Sequence, residues 1–172
     1  MVLKNLPLLL VLLATACSAG LGPVSYPTAS SAEIATAEAL LGFKFNRDYE
    51  RRDDLLGINE KWGTTDIGGI AYFEELDAEV LEVLLKERFV APDMRHNEAP
   101  PASEFLRFLQ DHPQATAGGY AVSPLRADYA VLLTSIHIEG RFMSASRIEA
   151  IRQFCRYADE EQTVPEGYCW WD

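Results

Sequence analysis

"GGYAVSPLRADYAVLLTSIHIEG" (residues 118–140) decides the fold. Tyr-Ala-Val occurs in it twice, beginning at Tyr120 and again at Tyr129, with Pro124 between. Aromatic and β-branched residues fill both arms. Proline cannot donate to a sheet ladder, so Pro124 belongs in the connection. The stretch predicts a β-hairpin near 119–139. Side chains alternate along a strand. Ala130, Leu132, Thr134, Ile136 and Ile138 are therefore expected on one face, with Tyr129, Val131, Leu133, Ser135, His137 and Glu139 on the other.

Helical patterns flank the hairpin. Ser144 is a candidate N-cap, Met143 and Ile148 sit at staple spacing, and Ile148, Ile151, Phe154, Cys155 and Ala158 share a face. The tail "VPEGYCWWD" is expected to run back along the body. Upstream, Ser103 is expected to cap a short helix ended by Pro113. "DMRHNE" (93–98) is a polar connection. Asp77 caps a helix whose apolar stripe is Val80, Leu81, Leu84, Leu85 and Phe89. "IGGIAYF" (67–73) has two glycines and then β-formers, which suits an edge strand. A short helix is expected near 47–56. Ser30 and Glu33 form a capping-box pattern, opening a helix that Gly42 stops. Helices, a strand, helices, a hairpin and a helix together predict an α+β fold, with a small antiparallel sheet covered by several helices.

The N-terminal region speaks about address. Lys4 precedes an apolar stretch over 6–14, and Ala14-Thr15-Ala16 leads into Cys17. This is the layout of a secretory signal. A membrane span needs about 20 apolar residues, and this run is shorter. Leucines, then small residues, then cysteine resemble the bacterial lipobox, although Ala14 stands where leucine is usual. The resemblance implies a bacterial lipoprotein whose Cys17 becomes a lipidated N-terminus; Ser18 after it implies sorting to the outer membrane, facing the periplasm. Residues 1–16 are then the signal peptide, 17–29 the lipidated cysteine and a flexible Gly/Pro tether, and 30–172 one globular domain. An ordinary A-x-A cleavage site is the alternative.

Cysteine arithmetic bears on that choice. The chain has three cysteines, Cys17, Cys155 and Cys169. An odd thiol in an exported protein needs an explanation. Acylation of Cys17 leaves Cys155 and Cys169 as a pair, and a disulfide closing a loop of that size stabilises by roughly 3 kcal/mol.

The chain carries 15 basic and 26 acidic residues, a net charge of −11. Losing the leader removes Lys4 alone, which brings the net to −12. Such a surface repels nucleic acid and anionic headgroups, so neither partner is expected. It favours a basic protein partner, and simple solubility would also account for it. The only membrane contact expected is the anchor at Cys17.

Catalytic and cofactor patterns are sparse. There is no phosphate-binding glycine frame, no H-E-x-x-H and no C-x-x-C. His96, His112 and His137 are scattered, so no metal and no cofactor is expected. Ser135, His137 and Glu139 share a strand face, but alternate residues lie roughly 7 Å apart and project in parallel, which does not make a catalytic relay. Tyr120, Arg126, Asp128, Tyr129 and His137 form the expected partner-binding patch, because tyrosine and arginine dominate interface hot spots. The order Asn97-x-x-Pro100, Glu104-Phe105, Gly119-Tyr120-Ala121-Val122 and Arg126-x-Asp128-Tyr129 is similar to small uncharacterised bacterial proteins over roughly 76–140, and carries no activity over.

The expectation is a cell-envelope lipoprotein acting as a non-enzymatic protein-binding module. An inhibitor or immunity protein against a basic wall-attacking enzyme is its most concrete form. The alternatives are a structural or assembly accessory of an envelope complex, and a hydrolase whose site converges only in three dimensions.

Overall fold

The computed structural model describes residues 28–62 and 69–172. Cys17 and the first residues of the expected edge strand lie outside the described residues. The chain runs through α1 (Ser31–Leu41), α2 (Tyr49–Leu56), β1 (Ile70–Leu76), α3 (Ala78–Lys86), α4 (Ala102–Asp111), β2 (Ala115–Val122), β3 (Val131–Ile138), a 3-10 turn (Gly140–Phe142), α5 (Ala145–Phe154), β4 (Glu160–Gln162) and β5 (Gly167–Trp170). The fold is α+β. The five strands form one sheet in the order β1-β2-β3-β5-β4, antiparallel at every pairing. The hairpin is β2 and β3, and β1 is an edge strand. The tail does more than run back: it contributes two strands and inserts β5 between β3 and β4.

Local chemistry sets the helix ends. The Ser30 hydroxyl accepts the Glu33 N–H, and the Glu33 carboxylate accepts the Ser30 N–H at 2.7 Å. Asp48 caps α2, Asp77 caps α3 and Ser144 caps α5, each through a side-chain oxygen. α4 departs from expectation. It begins two residues earlier, after Pro101, and Ser103 lies within its first turn. No side-chain cap is needed there, because the loop ahead supplies carbonyls. The Ala102 N–H donates to Met94 and the Ser103 N–H to Pro92, at 3.1 and 3.0 Å.

The expected faces of β3 also need correction. Val131 and Leu133 lie in the same buried cluster as Ile136 and Ile138, although alternation puts them on opposite sides. The register explains it. Gly118 pairs with Ser135 but Gly119 pairs with Leu133, so Thr134 is an extra residue. A bulge of one residue switches every later side chain to the other face. β1 bulges at the same level: Phe73 pairs with Gly119 and Leu76 with Ala117, and Glu75 takes a positive φ of 60°. Both irregularities lie against Gly118 and Gly119, where the strands approach closely. A Cβ on Gly119 would stand 2.0 Å from the Leu132 carbonyl oxygen, and one on Gly118 would stand 2.6 Å from Ser135 Oγ.

The helices cover one face of the sheet. Leu81 and Leu84 of α3, Phe105 and Leu109 of α4 and Ile151 of α5 meet Phe73, Ala117, Leu133 and Ile136 there. Trp171 joins this core, with its ring edge-on to Phe105 and Phe154. A disulfide links Cys155 at the end of α5 to Cys169 in β5. A smaller cluster of Phe45, Ala91, Val122, Tyr129 and Ala130 seals the hairpin end. Beside it Arg52 is fully buried. Its guanidinium donates to Asp53 Oδ1 and to the Val122 carbonyl, both at 2.8 Å, and Asp53 Oδ2 accepts the Trp62 indole N–H. This ties α2 to the end of β2. α1, by contrast, buries no residue.

Candidate ligand groove on the open sheet face

The face of the sheet away from the helices carries the most concentrated chemistry. Tyr72 and Glu74 come from β1, Thr116 from β2, Ser135 and His137 from β3, and Tyr168 and Trp170 from β5. Alternation along β5 makes this division sharp: Cys169 and Trp171 enter the core while Tyr168 and Trp170 face outward. The middle of the face lacks side chains because Gly118 and Gly119 occupy it. Aromatic rings standing around a bare glycine floor leave a groove of about 450 Å³.

The groove is acidic. Glu74 and Glu75 line it, and no lysine or arginine does so among the described residues. Burial raises the Tyr168 hydroxyl pKa above its ordinary value, and the Glu160 and Glu74 carboxylates add to that rise. His137 Nε2 stands 3.3 Å from a Glu166 carboxylate oxygen. Glu74 and Glu75 in the groove, with tyrosine and tryptophan faces beside them, suit a cationic group, which aromatic rings attract through their quadrupole.

Ser135, His137 and Glu139 do not act as a relay here. His137 is paired with Glu166, and Glu139 holds Arg141 at 2.8 Å. No hydrogen bond joins Ser135 to His137 among the described residues.

The residues expected to form one partner patch are divided. Arg126 and Asp128 come together at the hairpin tip, with Nε to Oδ1 at 2.8 Å and Nη2 to Oδ2 at 2.6 Å. The hydrogen bonds from Arg126 hold the Asp128 carboxyl below its usual pKa. Tyr120 turns to the open face, where its hydroxyl meets His96 Nδ1 at 3.1 Å and its ring lies edge-on to Tyr72. His137 lies in the groove. Opposite Tyr120 on β3 stands Leu132, five positions from His137, or roughly 16 Å along the strand. Tyr129 is 1% exposed and presents no surface to a partner. It packs edge-on to Phe45, and the Arg52 guanidinium lies 4.8 Å from its ring centre.

The polar connection 93–98 is tied down on both sides. Met94 packs on the smaller cluster, His96 meets Tyr120, and the Asn97 side-chain amide donates to the Asp172 carbonyl. The groove residues that reading the sequence missed are Tyr72, Glu74, Tyr168 and Trp170. A signal for two of them was present: "GYCW" alternates polar-aromatic and core residues as a strand does.

Fold and groove together define a disulfide-closed α+β domain with an acid-rimmed aromatic groove on its open sheet face. The chain matches no protein-family model, and no curated protein or solved structure is significantly similar to it. Among the described residues, no helix is long and apolar enough to cross a membrane, and no group of three His, Cys, Asp or Glu side chains gathers as for a metal ion.

Proposed function

We propose that the protein is a membrane-tethered, non-enzymatic binding module of the cell envelope that holds a basic protein partner. An inhibitor or immunity protein against a basic wall-attacking enzyme is its most concrete form. Cys17 is the lipidated residue in this reading, and the outer membrane facing the periplasm is its site. The observation that carries the partner chemistry is the groove. Glu74 and Glu75 line it with no lysine or arginine beside them among the described residues, and Tyr72 is 62% exposed on an edge strand. Such a surface accepts lysine or arginine side chains, with the rings covering their aliphatic stems. The net charge of −11 steers a basic partner toward it.

The test is capture from envelope extract by the full chain at low and high salt. A basic protein should be retained at low salt and released at high salt, and E74Q combined with Y168A should lose it. Capture indifferent to both salt and the double variant would overturn the reading. The anchor is tested separately: radiolabelled palmitate should enter the wild-type chain and not Cys17→Ala.

A further inference from the structure

A second cavity lies on the helical side, away from the groove. It is bounded by α4, the end of α5 and the loop before α4, and encloses about 490 Å³. Its chemistry is opposite to that of the groove. Arg95, Arg107 and Arg156 converge on it in a chain that is otherwise strongly acidic. Arg107 lies 4.0 Å from Glu104 on its own helix. Arg95 has no carboxylate partner among the described residues, and Arg156 lies only over the Tyr157 ring, at 4.8 Å. Glu98 and Glu104 also line the cavity, so three guanidinia face two carboxylates.

The apolar wall is aromatic. Phe108 and Phe154 lie 4.4 Å apart between ring centres, and Trp171 packs edge-on to Phe154. The Trp171 indole N–H is buried with no hydrogen-bond partner among the described residues. The cavity's size is that of a small-molecule site, and charged and polar side chains make up most of its lining around one aromatic wall. Guanidinium forks recognise carboxylate and phosphate through paired hydrogen bonds.

We propose that this cavity binds a small organic anion with a flat aromatic body, a carboxylate or a phosphate monoester. Arg95 and Arg156 take the anionic head, and Phe108 and Phe154 take the ring, with Trp171 backing them. The disulfide holds the two walls together, since Arg156 follows Cys155 directly and Trp171 lies two positions after Cys169. The site is independent of the groove and of the basic partner.

Calorimetric titration of the oxidised full chain tests the proposal with four probes: 2-naphthoate, 2-naphthyl phosphate, 2-naphthamide and 2-naphthylmethylamine. At least one anion should bind, and the tighter of the two identifies the head group. The neutral amide and the cationic amine should bind at least tenfold more weakly. The R95A/R156A double variant should lose at least tenfold in anion affinity while keeping the wild-type thermal midpoint. Arg141→Ala serves as control, because its guanidinium pairs with Glu139 and does not line the cavity. Failure of both anions, equal binding of the amide, or undiminished affinity in the double variant would overturn the site and leave the groove reading untouched.

Discussion

Arg52 is the charge that the interior must accommodate. It is fully buried, and Asp53 beside it is 7% exposed. An ion pair taken out of water holds only while both members are present. Asp53→Ala strands the guanidinium and is expected to destabilise by about 3–5 kcal/mol. Tyr129→Phe is the contrasting change. Its hydroxyl lies near Arg52 but makes no well-formed hydrogen bond, so removing it should shift stability by no more than about 1 kcal/mol. Urea denaturation of both variants checks the pair, and equal losses would refute this account. "RRDDLL" hides the arrangement in the sequence. Adjacent opposite charges read as a solvated helix face, and only the distant contacts to Val122 and Tyr129 reveal that Arg52 faces inward.

At the scale of elements, the two bulges shape the site. Strand periodicity made the hairpin legible, and capping residues made the starts of three of the five helices, α1, α3 and α5, legible. The faces of β3 were not legible, because a bulge leaves no mark in the bulged strand's own residues. The mark is on the neighbour, in Gly118 and Gly119, and it has meaning only once the strands are paired. The same holds for the groove, whose residues come from four strands that only the sheet order brings together. Gly119→Ala drives a Cβ into the Leu132 carbonyl and should destabilise by at least about 3 kcal/mol, the upper range for overpacking. A calorimetric midpoint within a degree of wild type would show that the strands can separate without loss. The disulfide belongs to this scale too. It joins α5 to a central strand across 14 positions, and replacing both Cys155 and Cys169 by alanine should cost about 3 kcal/mol. Unfolding in urea measures it, and a loss below about 1 kcal/mol would mean that packing of Trp171 alone fixes the tail.

For the whole molecule, charge and burial give stability a definite pH dependence. At the acid side, Asp128 has a pKa lowered chiefly by its hydrogen bonds to Arg126. Its contribution is present above the unfolded carboxylate value, about 3.9, and is lost as pH falls through the lower folded value. Solvent reaches this pair, so the effect is small. The alkaline side is more informative. Tyr120, Tyr129 and Tyr168 all have pKa values raised, in each case mainly by burial. The folded chain therefore keeps these protons at a pH where the unfolded chain releases them. Stability is intact below the unfolded value, about 10, and declines as pH rises through the folded values. Self-repulsion among the many carboxylates also acts at high pH, but it is common to any variant that keeps them. Tyr129→Phe isolates the Tyr129 part of the tyrosine contribution. Its thermal midpoint should nearly match wild type at pH 7 and fall less steeply between pH 10 and 11.5. Parallel alkaline limbs in the two proteins would show that burial of Tyr129 does not govern the decline.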